Sequence, residues 1–165
     1  MRSLFRNNRD YMRPYHWVLE GLSVVLGIAA IVAALVGRSK LPDQVPTHWD
    51  FQGNPNGYGS PSTFVLFPVI MLLVILTTSL ILHFVDIEHW NMPFQVKTGR
   101  KVPVARALMT SLFGMNVELG AFSLWFTLRT VSQAMTGTVA AMVLFVAALS
   151  LTLLLGIGIA AMRNK

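Results

Sequence analysis

The sequence predicts an all-α integral membrane protein: four transmembrane helices, both termini on the cytoplasmic side, and a structured extracytoplasmic loop between helices 1 and 2. Three observations predict it. The chain is apolar, with 54% hydrophobic and 12% charged residues among 165 and a mean hydropathy of +0.59. A soluble domain carries about 25% charged residues. The apolar residues are clumped into four runs, Trp17–Gly37, Phe64–Val85, Ala107–Leu128 and Thr138–Met162. Each approaches or exceeds the ~20 residues that a helix rising ~1.5 Å per residue needs to cross a ~30 Å hydrocarbon core. The basic residues, finally, are lopsided. Ten flank the termini and the loop between spans two and three, whereas Arg38, Lys40 and Arg129 lie on the other side. Cytoplasmic flanks collect Lys and Arg, which sets the orientation.

Within lipid each backbone polar group bonds inside its own segment, so the runs read as helices. They do not alternate as barrel strands would. Four spans leave no room for a separate soluble unit, and residues 1–165 read as one membrane domain. With no cysteine, disulfides and thiolate metal sites are excluded. The formal charge of +6 is explained by the span flanks and does not indicate nucleic acid. The basic stretch Arg2–Arg13 reads as a cytoplasmic flank rather than a cleaved leader, because the span behind it is full length.

Along the chain, Tyr11, Tyr15 and His16 suit an interfacial entry to span one. Span one carries Ser23-x-x-x-Gly27 and Ala29-x-x-x-Ala33-x-x-x-Gly37, and span four Gly156-x-x-x-Ala160. Small residues four apart let helix backbones approach closely. Span two opens near Pro68, a position tolerated in a first turn. Trp90, Pro93 and Phe94 suit an interfacial segment in the cytoplasmic loop, and Arg129–Gly137 is a tight hairpin.

The outer loop, Arg38–Thr63, is the longest connection. Pro42 and Pro46 restrain its path. Asn54-Pro55-Asn56-Gly57 reads as a turn. Trp49, Phe51 and Tyr58 supply rings that pack on the helix ends or in the interface. The whole reads as a folded cap presenting His48 and Asp50. Those two, with Asp43, are the candidate metal ligands, since imidazole plus carboxylate suits Zn²⁺. They lack a complete ligand spacing, and the competing reading is local: Asp50 caps a turn and His48 bonds a backbone carbonyl. No cofactor is expected.

The segment "LPDQVPTHWDFQGNPNGY" resembles the N-terminal domain of the SdpI-like family of bacterial membrane proteins. The matching residues are Leu41, Pro42, Val45, Pro46, His48, Trp49, Asp50, Gly53, Pro55, Asn56 and Tyr58, within a family-like part spanning about residues 17–85. The resemblance implies a location in the bacterial cytoplasmic membrane. It also implies a role in immunity to a secreted toxic peptide, or in envelope sensing, with His48, Trp49, Asp50 and Tyr58 as the ligand-binding surface.

Inside the membrane the expensive residue is Glu118, near the middle of span three. A charge there costs about 3 kcal/mol on insertion scales, so it is a functional candidate. Ser111, Gly114, Ala121 and Trp125 share its face, while Asn116 points nearly opposite. Ser150 and Thr152 of span four lie at similar depth. Glu118 is read either as a proton-coupling site or as a protonated interhelical lock. Glu20 and the cluster His83, Asp86, Glu88 and His89 read as interfacial groups.

No Gly-x-Ser-x-Gly, His-Glu-x-x-His or phosphate-binding Gly loop is present, so no enzyme is expected. Three functions remain: an immunity or sensing protein, a small proton-coupled transporter using Glu118, and a structural subunit of a membrane complex. The candidate partners are the lipid bilayer, a peptide toxin, another membrane protein and a second copy of the chain.

Overall fold

A computed structural model describes residues 7–134 and 136–165; Arg2 and Arg6 of the basic flank lie outside them. Its elements are helix α1 (Pro14–Gly37), strands β1 (Val45–Trp49) and β2 (Pro55–Gly59), a short helix α2 (Pro61–Phe64), then α3 (Leu66–Phe84), α4 (Lys101–Val131) and α5 (Thr138–Arg163). Among the described residues four helical spans, counting α2 and α3 together, are long and apolar enough to cross a membrane. The chain is a multi-pass membrane protein, and its outer helix faces contact lipid. Residues 7–13, the C-terminal residues and the α3–α4 connection gather at one end of the bundle, and the β-hairpin lies at the other.

α1, α4 and α5 extend to or beyond their apolar runs, whereas α3 ends at Phe84, one residue short of its run. Pro14 opens α1 at a position where the missing N–H is no loss. Ser60 caps α2, its Oγ accepting from Thr63 N at 3.2 Å, with Pro61 next. The second span is interrupted at Val65, one turn before Pro68. Proline has no N–H to donate to the carbonyl four residues earlier, here Phe64, so the ladder breaks there. α4 runs 31 residues, about 46 Å at 1.5 Å per residue, and projects past the hydrocarbon core.

α4 is the central helix, packing on α1, α3 and α5. Small residues allow the closest approach. A Cβ on Gly120 would lie 2.9 Å from Ser23 O and 2.9 Å from Leu26 Cβ, so α1 and α4 meet backbone to backbone. Gly27 lies as tightly under Leu72 of α3, and Gly156 of α5 against Ser111 of α4. The Ser23/Gly27 and Gly156/Ala160 pairs therefore pack as expected. Ala29 is half-buried, beside the exposed Val25, Ile28 and Val32, and does not extend that seam. Apolar burial falls into two clusters. Tyr11, Leu82, Ile87, Met109 and Phe113 lie in the one at the terminus end, and Ala34, Val45, Phe64 and Phe126 form the one at the hairpin end.

The all-α expectation needs one correction. Val45–Trp49 and Pro55–Gly59 pair as an antiparallel two-stranded sheet, with Val45 opposite Gly59 and Trp49 opposite Pro55. The reversal sits at Asp50–Asn54 rather than at Asn54–Gly57. Gly53 supplies the φ of +87° that the turn requires, while Gly57, lacking a side chain, lets β2 approach His48 Cβ.

Candidate functional site

Two sets of polar residues stand out, one on the hairpin and one within the helices. In the hairpin, Asp50 closes the turn. Its Oδ1 accepts from Asn54 N at 2.8 Å, and its own N–H donates to Asn54 O at 2.9 Å. The Asn54 N–H, with the Asn54 side chain and the Gln52 and Gly53 N–H groups behind it, favours the carboxylate and holds its pKa below the ordinary value. His48 is exposed, and its Nδ1 pairs with the Asn56 side chain across the strands rather than with a backbone carbonyl. His48 and Asp50 are thus engaged in the hairpin's own bonds. Among the described residues no group of three His, Cys, Asp or Glu side chains could hold a metal ion.

The three rings divide. Trp49 packs edge-on to Phe126 at 6.0 Å between centroids and joins the hairpin-end cluster. Tyr58 is 57% exposed and Phe51 101%, so neither packs on the helix ends. The strands explain this: Trp49 shares the inward side of β1 with buried Val45, whereas Phe51 lies in the turn beyond the last pair. Beside Phe51 a cavity of about 610 Å³ opens between the hairpin and the start of α5, lined by Trp49, Gln52, Pro55, Gly137 and Val139 among others.

Within the helices, Glu118 faces α5. Thr152 Oγ1 donates to its Oε1 at 2.6 Å, while its buried Oε2 has no hydrogen-bond partner. Asn116 points the other way, fully buried, and donates from Nδ2 to Ile75 O of α3 at 3.3 Å. Ser150 does not join Glu118. It is exposed, and its hydroxyl folds back to Val146 O at 2.8 Å. Ser150 and Thr152 are two residues apart, so they stand about 200° apart around the helix and cannot both face α4.

Sequence reasoning missed a hydrogen-bonded carboxylate–imidazole pair nearer the terminus end. His83 Nε2 lies 3.0 Å from both Glu20 oxygens, with the side chains only 12% and 18% exposed. The Trp17 ring lies 5.1 Å from the His83 ring. Glu20 and His83 are 63 residues apart, and each is an ordinary interfacial residue until α1 and α3 are packed together. Asp86 and Glu88 pair with Lys101 at 2.8 and 3.2 Å.

Neither a curated protein nor a solved structure matches the chain. Residues 25–72 match the model of a domain of unknown function (DUF1648). The matched stretch runs from the middle of α1 through the whole hairpin into α3, so the candidate outer surface lies within it, and Glu118 does not.

Proposed function

We propose that the chain is a recognition protein of the bacterial cytoplasmic membrane, binding an extracytoplasmic peptide at its hairpin in toxin immunity or envelope sensing. Both termini face the cytoplasm in this reading, in keeping with the ten-to-three distribution of basic residues. The observation that carries it is Phe51. A ring wholly exposed on a hairpin that Trp49 fastens to the bundle is an apolar contact held ready on a fixed support. The adjoining cavity offers space for a second apolar side chain. Exposed aromatic anchors beside pockets are what peptide and protein interfaces use. The likeness of the loop to the SdpI-like family agrees with this role.

A photoreactive phenylalanine analogue at position 51 tests it. In intact cells exposed to secreted peptides of neighbouring bacteria, irradiation should give a peptide adduct that Trp49→Ala abolishes. Adducts with phospholipid alone would overturn the proposal.

A second reading, proton-coupled transport, is favoured by the unpartnered Oε2 of Glu118. Glu118→Gln keeps the bond from Thr152 but cannot titrate. Unchanged stability in detergent with lost pH-dependent flux supports coupling; unchanged flux leaves Glu118 as an interhelical fastening.

A further inference from the structure

At the terminus end, a groove of about 490 Å³ between α1, α4 and α5 is lined by Arg13, Arg106 and Arg163. No carboxylate lines it. Among the described residues none of these guanidinium groups is in an ion pair, whereas nearby Lys101 has both Asp86 and Glu88. Arg106 is aimed by its Nε, which donates to Tyr11 O at 3.0 Å, leaving its terminal N–H groups for another acceptor.

Two neutral polar groups of the groove, Tyr15 and Thr110, are already committed, together with the neighbouring His16. His16 Nδ1 accepts from Arg13 N at 2.9 Å, so the ring's proton is on Nε2, which donates to Thr110 Oγ1 at 2.9 Å. Thr110 donates in turn to Arg106 O at 2.7 Å, and the Tyr15 hydroxyl bonds Thr110 at 3.1 Å. What remains is a concave surface whose available side-chain donors are the three guanidinium groups and the Ser111 hydroxyl. Pro103 lies at the mouth, and inward of Arg106 and Arg163 the wall carries Ala107 and Ile159. From Arg106 to Ser111 it descends about 7.5 Å along α4.

We propose that this groove binds an anionic phospholipid. The headgroup phosphate lies among Arg13, Arg106 and Arg163, and an acyl chain lies along Ala107 and Ile159. Guanidinium groups match phosphate in planar, two-point hydrogen bonds, and basic residues at a membrane surface attract anionic lipid. The apolar descent favours a lipid over a free phosphate, which would occupy the mouth alone.

The test uses the purified full chain in detergent, with lipid retention read by native mass spectrometry. Phosphatidylglycerol should be retained in preference to phosphatidylcholine. The double variant Arg13→Gln/Arg163→Gln should weaken its retention about 30-fold, with helix content unchanged by circular dichroism, since both side chains are exposed. Lys97→Gln/Arg100→Gln removes the same charge outside the groove and should leave retention intact. Inorganic phosphate should not raise the melting temperature. Equal losses in the two double variants would mean diffuse surface charge and overturn the site. So would wild-type retention by the groove variant, or phosphatidylcholine bound as well as phosphatidylglycerol. Stabilisation by inorganic phosphate matching that by the lipid would assign the groove to a soluble anion instead.

Discussion

The two ends of the bundle are built on different physics. At the terminus end, segments far apart in sequence are tied together by buried polar side chains. Asn8 Nδ2 donates to Leu82 O at 2.9 Å and to Val85 O at 2.8 Å, and its backbone N–H to His83 O. The entry segment thus satisfies the last carbonyls of α3, which a helix C-terminus leaves orphaned. Asn164 does the same for the α3–α4 connection, accepting from Lys97 N at 2.8 Å and donating to Gln95 O at 2.9 Å. Within the hairpin itself the side-chain bonds are local, in the turn and between facing strands, and docking depends on Trp49 and Val45; beside it, Gln133 Nε2 donates to Lys40 O at 3.5 Å. The first end is a clasp; the second is a short arm held at its base. Rigidity is concentrated where the chain's loops converge, and exposure where a partner would arrive.

The largest effect should come from opening the clasp. Asn8→Ala strands Leu82 O, while Val85 O keeps its bond from Trp90 Nε1 at 3.0 Å, and a buried hydrogen-bonding group left unsatisfied costs about 1–3 kcal/mol. A loss of about 2–3 kcal/mol in detergent, with Trp49 emission unchanged, would confirm that the ends are independent. A simultaneous red shift of Trp49 would show that they are coupled; the other tryptophans are replaced for this measurement.

Trp49→Ala should act at the other end. Removing a half-buried ring costs about 2 kcal/mol by area, here against hairpin docking rather than against the bundle. Hydrogen exchange should rise across residues 45–59 and stay unchanged in α4. Exchange that rises equally in α4 would remove the distinction between clasp and arm.

The smallest effect is the turn's response to acid. The Asp50 pKa is lowered in the folded hairpin. Its contribution is therefore complete above the ordinary carboxylate value of about 3.9 and is lost as pH falls through the lower, folded value. Protection of the Asn54 amide, relative to its intrinsic exchange rate, should fall below about pH 4 in the wild type, and Asp50→Ala should show the lower protection already at neutral pH. Asn54 protection independent of both changes would mean that the backbone alone holds the turn.

The spans are legible in the sequence because lipid demands long uninterrupted apolar runs, and the Ser23/Gly27 seam because close packing demands small residues at fixed spacing. The strands are not. Val-Pro-Thr-His-Trp and Pro-Asn-Gly-Tyr-Gly have little alternation, and prolines and glycines in them read as loop. Pairing there is set by a turn carboxylate and one anchored ring. Of the candidate site, the opposed directions of Glu118 and Asn116 follow from helical geometry. The partner of Glu118 does not, since choosing Thr152 over Ser150 depends on how α5 is rotated. Asn8 and Asn164 carry no sequence signal, because their partners lie 74 and 69 residues away.

The placement of α5 has a consequence for how the protein is made. Only 6% of its most apolar stretch is buried, against 33% for α4, and its packing is chiefly on α4. A ribosome that has released the first three spans has already supplied both partners of the Gly120 seam, of the Glu20–His83 pair and of the Asn8 bonds. The last span then enters a bilayer where its neighbours are assembled. It docks by the Phe122–Phe145 stack at 4.0 Å, the Ser111–Gly156 contact and the bond from Thr152 to Glu118. The carboxyl at mid-membrane therefore waits, during synthesis, for the helix that comes after it.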